Sequence, residues 1–109
     1  MRSLNRFVYV LVASAALVAP AVKASDPVTT TVAIRDFVFA PAVVKIKLGE
    51  AIVWVNSDEE PHTVVAKDKS FRSSTLDTSQ KFVQTFSAAG EFEYFCSFHP
   101  HMTGRIVVE

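Results

Sequence analysis

The run Cys96-Ser97-Phe98-His99-Pro100-His101-Met102 places a thiol, two imidazoles and a thioether within seven residues. These are soft and borderline metal donors, and such a density of them is what a metal-binding loop requires. A further imidazole lies upstream at His62, and the chain has only three histidines and one cysteine in all. If loops at one end of a sandwich bring His62 to the cysteine loop, the set becomes two imidazoles and one thiolate, roughly trigonal, with a weak thioether on the axis. That set suits copper, because it serves both Cu(I), which favours sulfur and low coordination, and Cu(II), which favours imidazole nitrogen. Zinc accepts the same atoms. A structural zinc site normally closes with Cys and His alone, however, and a catalytic one keeps a water position. The methionine therefore tilts the choice toward one copper ion.

Spacing selects between the two histidines of the run. If His101 were the ligand, its direct neighbour Met102 would have to aim at the same ion. With His99 the pattern is Cys-x2-His-x2-Met, which lets a tight loop turn three side chains inward, and His101 is then an exposed loop residue. The candidate metal ligands are His62, Cys96, His99 and Met102. Cys96 has no partner for an internal disulfide, so in an exported protein it is cross-linked to another chain, free, or bound to metal.

The elements that must position these residues read as β-strands. Apolar spacing is mostly two in Thr30-Val32-Ile34, in Val44-Ile46-Leu48, and in Ile52-Trp54 or Val53-Val55. Further strands are predicted at Thr63 to Ala66, Phe82 to Phe86, Phe92 to Phe95 and Arg105 to Val108. Turn material separates them at Ala40-Pro41, Leu48-Gly49-Glu50, Asn56-Ser57-Asp58 and Ala89-Gly90-Glu91. About seven short strands predict an all-β sandwich. Lys67 to Gln80 reads as a loop with one short strand or turn near Phe71, and nearly all nine phenylalanines are expected in the core.

The chain of 109 residues has room for one domain and none for a separate substrate domain. Met1 to Arg6 carries two arginines, Phe7 to Val18 is uncharged and apolar, and Val22-Lys23-Ala24 offers a small-residue cleavage site. Residues 1–24 therefore read as a signal peptide cut after Ala24, and residues 25–109 as the mature domain. The apolar run is short of the ~20 residues that span a bilayer, so no membrane span is expected in the mature chain. Removing residues 1–24 takes away Arg2, Arg6 and Lys23 and no acid, which leaves eight basic side chains against 11 acidic ones. That balance argues against nucleic acid as a partner, since phosphate neutralisation needs a basic face. There is no glycine-rich phosphate loop and no serine nucleophile elbow. Copper enzymes with a second copper centre need more histidines than the three present, so no enzymatic activity is expected.

The run from Tyr94 to Glu109 resembles the C-terminal end of the amicyanin-like branch of the cupredoxins. In matching order upstream come Asp36-Phe37-Val38-Phe39-Ala40-Pro41, Gly49, Val53-Trp54-Val55-Asn56 and Pro61-His62-Thr63-Val64. The resemblance implies a Greek-key β-sandwich with type 1 copper held by His62, Cys96, His99 and Met102. It further implies a monomeric periplasmic electron carrier. Its redox partners would be a dehydrogenase or cytochrome as donor and a c-type cytochrome or similar protein as acceptor. They would dock near His99, in an apolar patch ringed by Pro100, Phe98 and Ala40 or Pro41. A periplasmic copper carrier or scavenger is the second reading. Three positions depart from the family pattern: Phe98 where proline is usual, His101 where phenylalanine is usual, and Thr63 where asparagine is common.

Overall fold

A computed structural model describes residues 10–16 and 28–109. The expected cut after Ala24 lies outside the described residues. Eight strands and no helix are found among them: β1 Thr29–Arg35, β2 Val38–Ala40, β3 Val43–Ile46, β4 Ala51–Asn56, β5 Val65–Ala66, β6 Lys81–Thr85, β7 Gly90–Cys96 and β8 His99–Val108. They form two four-stranded sheets, ordered β2-β1-β4-β6 and β3-β8-β7-β5. Each sheet contains one parallel pair, β1 with β4 and β3 with β8, and is otherwise antiparallel. Parallel neighbours need a crossover, so the chain passes from sheet to sheet and closes a sandwich rather than a meander.

Alternation decides which residues fill the space between the sheets. In β4, Ile52 and Trp54 are fully buried while Val53 and Val55 are half-buried, so the first of the two phases allowed by the sequence points inward. Val32 and Ile34 on β1, Val44 and Ile46 on β3, Tyr94 on β7 and Ile106 on β8 join them in one core. Trp54 stacks on Phe82 at 5.5 Å and meets Tyr94 edge-on at 5.4 Å. Gly104 lies opposite Tyr94 in the β7–β8 ladder. A Cβ there would come within 2.3 Å of the tyrosine ring, so only glycine lets the ring lie across β8.

Several expectations are corrected. Leu48 does not extend the strand of Val44 and Ile46; it is exposed in the turn before Gly49, whose φ of 89° ends the extended backbone. The strand expected at Thr63 to Ala66 shrinks to Val65–Ala66, because His62 and Val65 pair instead as isolated bridges with Leu76 and Arg72 in the following loop. That loop folds back at Phe71, which is buried. The last strand starts at His99 rather than Arg105, since the ladder with β7 runs on to a Cys96–His99 pair. Phe37 and Phe98 are not core residues: they are 43% and 50% exposed, and both stand at the end of the sandwich that carries the histidines and the cysteine.

Candidate metal centre

The β7–β8 hairpin is closed by Ser97 and Phe98 alone, with a register shift between Phe95 and Cys96. Cys96 keeps the inward phase of Tyr94 and is buried at the end of the sandwich, and His99, half-buried, faces it across the turn with its Nδ1 3.8 Å from Sγ. His62 arrives from the β4–β5 connection, fully buried, with its Nδ1 3.7 Å from the same sulfur. The donor atoms of His62, Cys96 and His99 all lie within 4.8 Å of one another. Met102 is buried on β8 in the same core cluster as Cys96, while His101 is exposed.

These distances match a shared metal ion. For bonds of about 2.3 Å to sulfur and about 2.0 Å to nitrogen, donors separated by roughly 120° lie about 3.7 Å apart. The sulfur is also prepared for the role. Burial alone would push the Cys96 thiol up, but the Thr63 amide, the two imidazoles and the Phe98 amide outweigh it and bring the thiol down to about 6. The metal-ready thiolate is thus the favoured form near neutral pH.

His62 and Cys96 are held from behind. The His62 backbone is paired both ways with Leu76, its N–H donating at 3.0 Å and its carbonyl accepting at 2.8 Å. Its ring Nε2 lies 2.8 Å from Asp58 Oδ2, which turns Nδ1 to face the sulfur. Asp58 Oδ2 also accepts from the Phe37 N–H at 3.0 Å, and Oδ1 accepts from the Asp36 N–H at 2.7 Å. Burial raises the Asp58 carboxyl, but these two amides and the imidazole outweigh it and hold it below the usual carboxylate range. The connection itself is organised by Asn56, which is buried. Its amide donates to the carbonyls of Glu60 and Leu76, both at 2.9 Å, and its oxygen accepts from the Asp58 N–H.

Thr63 joins the two donor segments. Its N–H points at Cys96 Sγ at 3.4 Å, its Oγ1 accepts from the Ser97 N–H at 2.8 Å, and the two hydroxyls are 2.7 Å apart. The threonine found where asparagine is common therefore braces the cysteine loop with its hydroxyl. Phe37 stands edge-on to both imidazoles, with ring centroids 5.3 Å from His62 and 5.0 Å from His99.

Of the four residues proposed from sequence, three converge through their donor atoms and the fourth is buried in the adjoining strand. Asp58 and Phe37 were missed as parts of the site. Asp58 read only as turn material and Phe37 only as core. The available signal was a carboxylate four residues before a candidate ligand.

The chain matches the cupredoxin-like domain family over residues 7–108. It is 36% identical to amicyanin of Paracoccus versutus over 83 residues, covering 72% of this chain and 63% of that protein. To amicyanin-alpha of Methylorubrum extorquens it is 35% identical over 105 residues, covering 89% of this chain and 88% of that one. Among solved structures, the reduced state of an amicyanin mutant with proline replaced by phenylalanine superposes with a TM-score of 0.69 at 30% identity. That match covers 74% of this chain and 82% of the other.

Proposed function

We propose, from the premise that this chain belongs to the cupredoxin-like domain family, that it is a type 1 blue copper electron carrier. His62, Cys96 and His99 would hold the ion equatorially and Met102 would supply a weak axial thioether. The observation that carries this reading is the convergence of His62 Nδ1, His99 Nδ1 and Cys96 Sγ at spacings already suited to one ion. When bound, copper supplies a one-electron Cu(I)/Cu(II) couple.

The protein's part is to hold its donors still and to exclude water. Leu76 and Asp58 fix His62, Thr63 fixes the Cys96 loop, and His62 and Cys96 are fully buried. Donors that move little between oxidation states keep the reorganisation cost of electron transfer low. His99 is the most accessible of the three, so partners would exchange electrons there. The exposed apolar side chains Phe37, Val38 and Phe98 would form the contact surface, with Phe37 against His99.

The partners are redox proteins: a dehydrogenase or cytochrome as donor and a c-type cytochrome or similar acceptor. The location would be periplasmic, with residues 1–24 removed as a signal peptide. No described helix is long and apolar enough to cross a membrane.

The test is to load the chain with copper and take it through repeated reduction and reoxidation in the presence of a modest chelator. An electron carrier turns blue, bleaches and recovers while retaining one copper per chain. Steady loss of the ion to the chelator would favour a copper carrier or scavenger.

A further inference from the structure

A cavity of about 360 Å³ lies beside the β5–β7 pair. Its walls are apolar, formed by Val65, Ala66, Phe71 and Phe95. Side chains alternate along β7, so Phe95 faces away from the core that holds Tyr94 and Cys96, and its register partner Val65 shares that face. The rest of the lining is Lys67, Lys69 and Arg72, with no acid among them. A volume near the low end of the roughly 300–1,000 Å³ usual for ligand sites, with apolar walls and a few polar groups converging on it, is the make-up of a site for a small molecule.

The charge gathered here is unlike that of the rest of the chain. Residues 25–109 are acidic on balance, yet Lys67, Lys69 and Arg72 fall within six consecutive residues. Lys67 is offset by Glu93 at 3.1 Å, whereas Lys69 and Arg72 form no ion pair among the described residues. Asp68, the one acid of this segment, accepts from the Ser70 N–H with its Oδ1 at 2.9 Å. The backbone holds the cations in place. The Ala66 N–H donates to the Phe71 carbonyl at 3.0 Å, the Lys69 N–H donates to the Ala66 carbonyl at 3.1 Å, and Val65 bridges to Arg72. Lys69 closes this turn with a φ of 67°, a left-handed conformation that glycine or asparagine adopts more easily. A lysine held there against its preference, on the rim of a cavity, is strain kept at a candidate site.

We propose that this cavity binds a small organic carboxylate with an apolar body. Arg72 receives the carboxylate with its planar fork and Lys69 adds a mobile point charge, while Val65, Phe71 and Phe95 cover the apolar part. The charge makes the choice of ligand: two unpaired cations favour an anion, and the apolar walls favour one that is not small and fully hydrated. The site is separate from the metal donors and does not depend on the copper reading.

The experiment is an NMR titration of the metal-free, full-length chain with benzoate. Benzyl alcohol and acetate probe the apolar and charged halves of the ligand separately, and hexaglutamate stands in for an acidic partner chain. Benzoate should shift the amides of Val65, Ala66, Lys69 and Phe95 saturably, with a Kd of about 1 mM. Benzyl alcohol and acetate should each bind about tenfold more weakly or worse, and raising the salt to about 0.5 M should weaken benzoate. The double variant Lys69→Gln with Arg72→Gln changes two exposed side chains, so it should melt as the wild type does and lose about tenfold in benzoate affinity.

Shifts that do not saturate, shifts centred on Phe37 and Phe98 instead, equal binding of benzyl alcohol, or unchanged affinity in the double variant would each overturn the proposal. Saturation by hexaglutamate and not by benzoate would overturn it too, and would make the face a docking surface for an acidic protein. A chain that binds benzoate as expected but never turns blue with copper would refute the copper reading alone.

Discussion

His62 is wholly buried, with its backbone paired in both directions to Leu76 and its ring anchored by a carboxylate, whereas His99 sits one residue from a hairpin tip beside half-exposed Phe98. The connection carrying His62 is tied down by Asn56, Asp58 and Thr63. The segment carrying His99 has its ladder with β7 and the ring of Phe37. The contrast teaches a division of labour. The His62 side fixes the geometry of the metal centre, and the His99 side, under the proposed function, would give the centre its access to partners.

The largest effect should come from the residue both sides share. Cys96→Ser should fold, because serine is of similar size, and should show no intense visible band with Cu(II). A surviving blue colour in the absorption spectrum would show that another residue supplies the chromophore.

On the ordered side, Asn56→Ala removes three hydrogen bonds, two donated to carbonyls and one accepted from an amide. At about 1 kcal/mol each the loss is about 3 kcal/mol. A domain of this size should then melt roughly 10–20 °C lower by circular dichroism. An unchanged melting temperature would mean that the His62 connection is not held by Asn56.

These effects differ in how far they could be read from sequence. Cys96, His99 and Met102 lie within seven residues, so spacing alone proposes their grouping. His62 needs the fold to reach them, and period-two apolar runs were enough to indicate a sandwich whose loops could meet. The role of Asp58 was not legible, because its partners at Asp36 and Phe37 are more than twenty residues away and no local pattern joins them. Phe37 was misplaced for a related reason. Its apolar side chain resembles core, and only the left-handed turn reveals that it faces the metal end. The start of β8 at His99 was also hidden, since Pro100 and the metal-ligand types suggested loop.

Met102→Gln sharpens the comparison at the axial position. It should lower the reduction potential, read by voltammetry, and leave copper bound, because the three equatorial donors supply the affinity. Complete loss of copper would make Met102 an anchoring ligand.

The metal-free protein offers a pH test of the thiol. Thiolate absorbance should appear with a midpoint near pH 6 rather than 9. Because the folded value is depressed, the thiolate contributes its full stability above the unfolded value, and that contribution fades as pH falls toward about 6. Denaturant melts across this window should weaken with acidification in the wild type, and Cys96→Ser should lose this part of the pH dependence.

The smallest effect is expected at exposed His101. His101→Phe should leave the colour and the metal content unchanged and alter only the rates with partners, through the surface beside His99.

X-ray absorption of the copper-loaded chain, recorded oxidised and chemically reduced at neutral pH, tests the ligand assignment most directly. One short sulfur and two imidazole nitrogens in both states, with little change in bond length, is the predicted result. Absence of a short sulfur scatterer, or a first shell rebuilt between the two states, would contradict it.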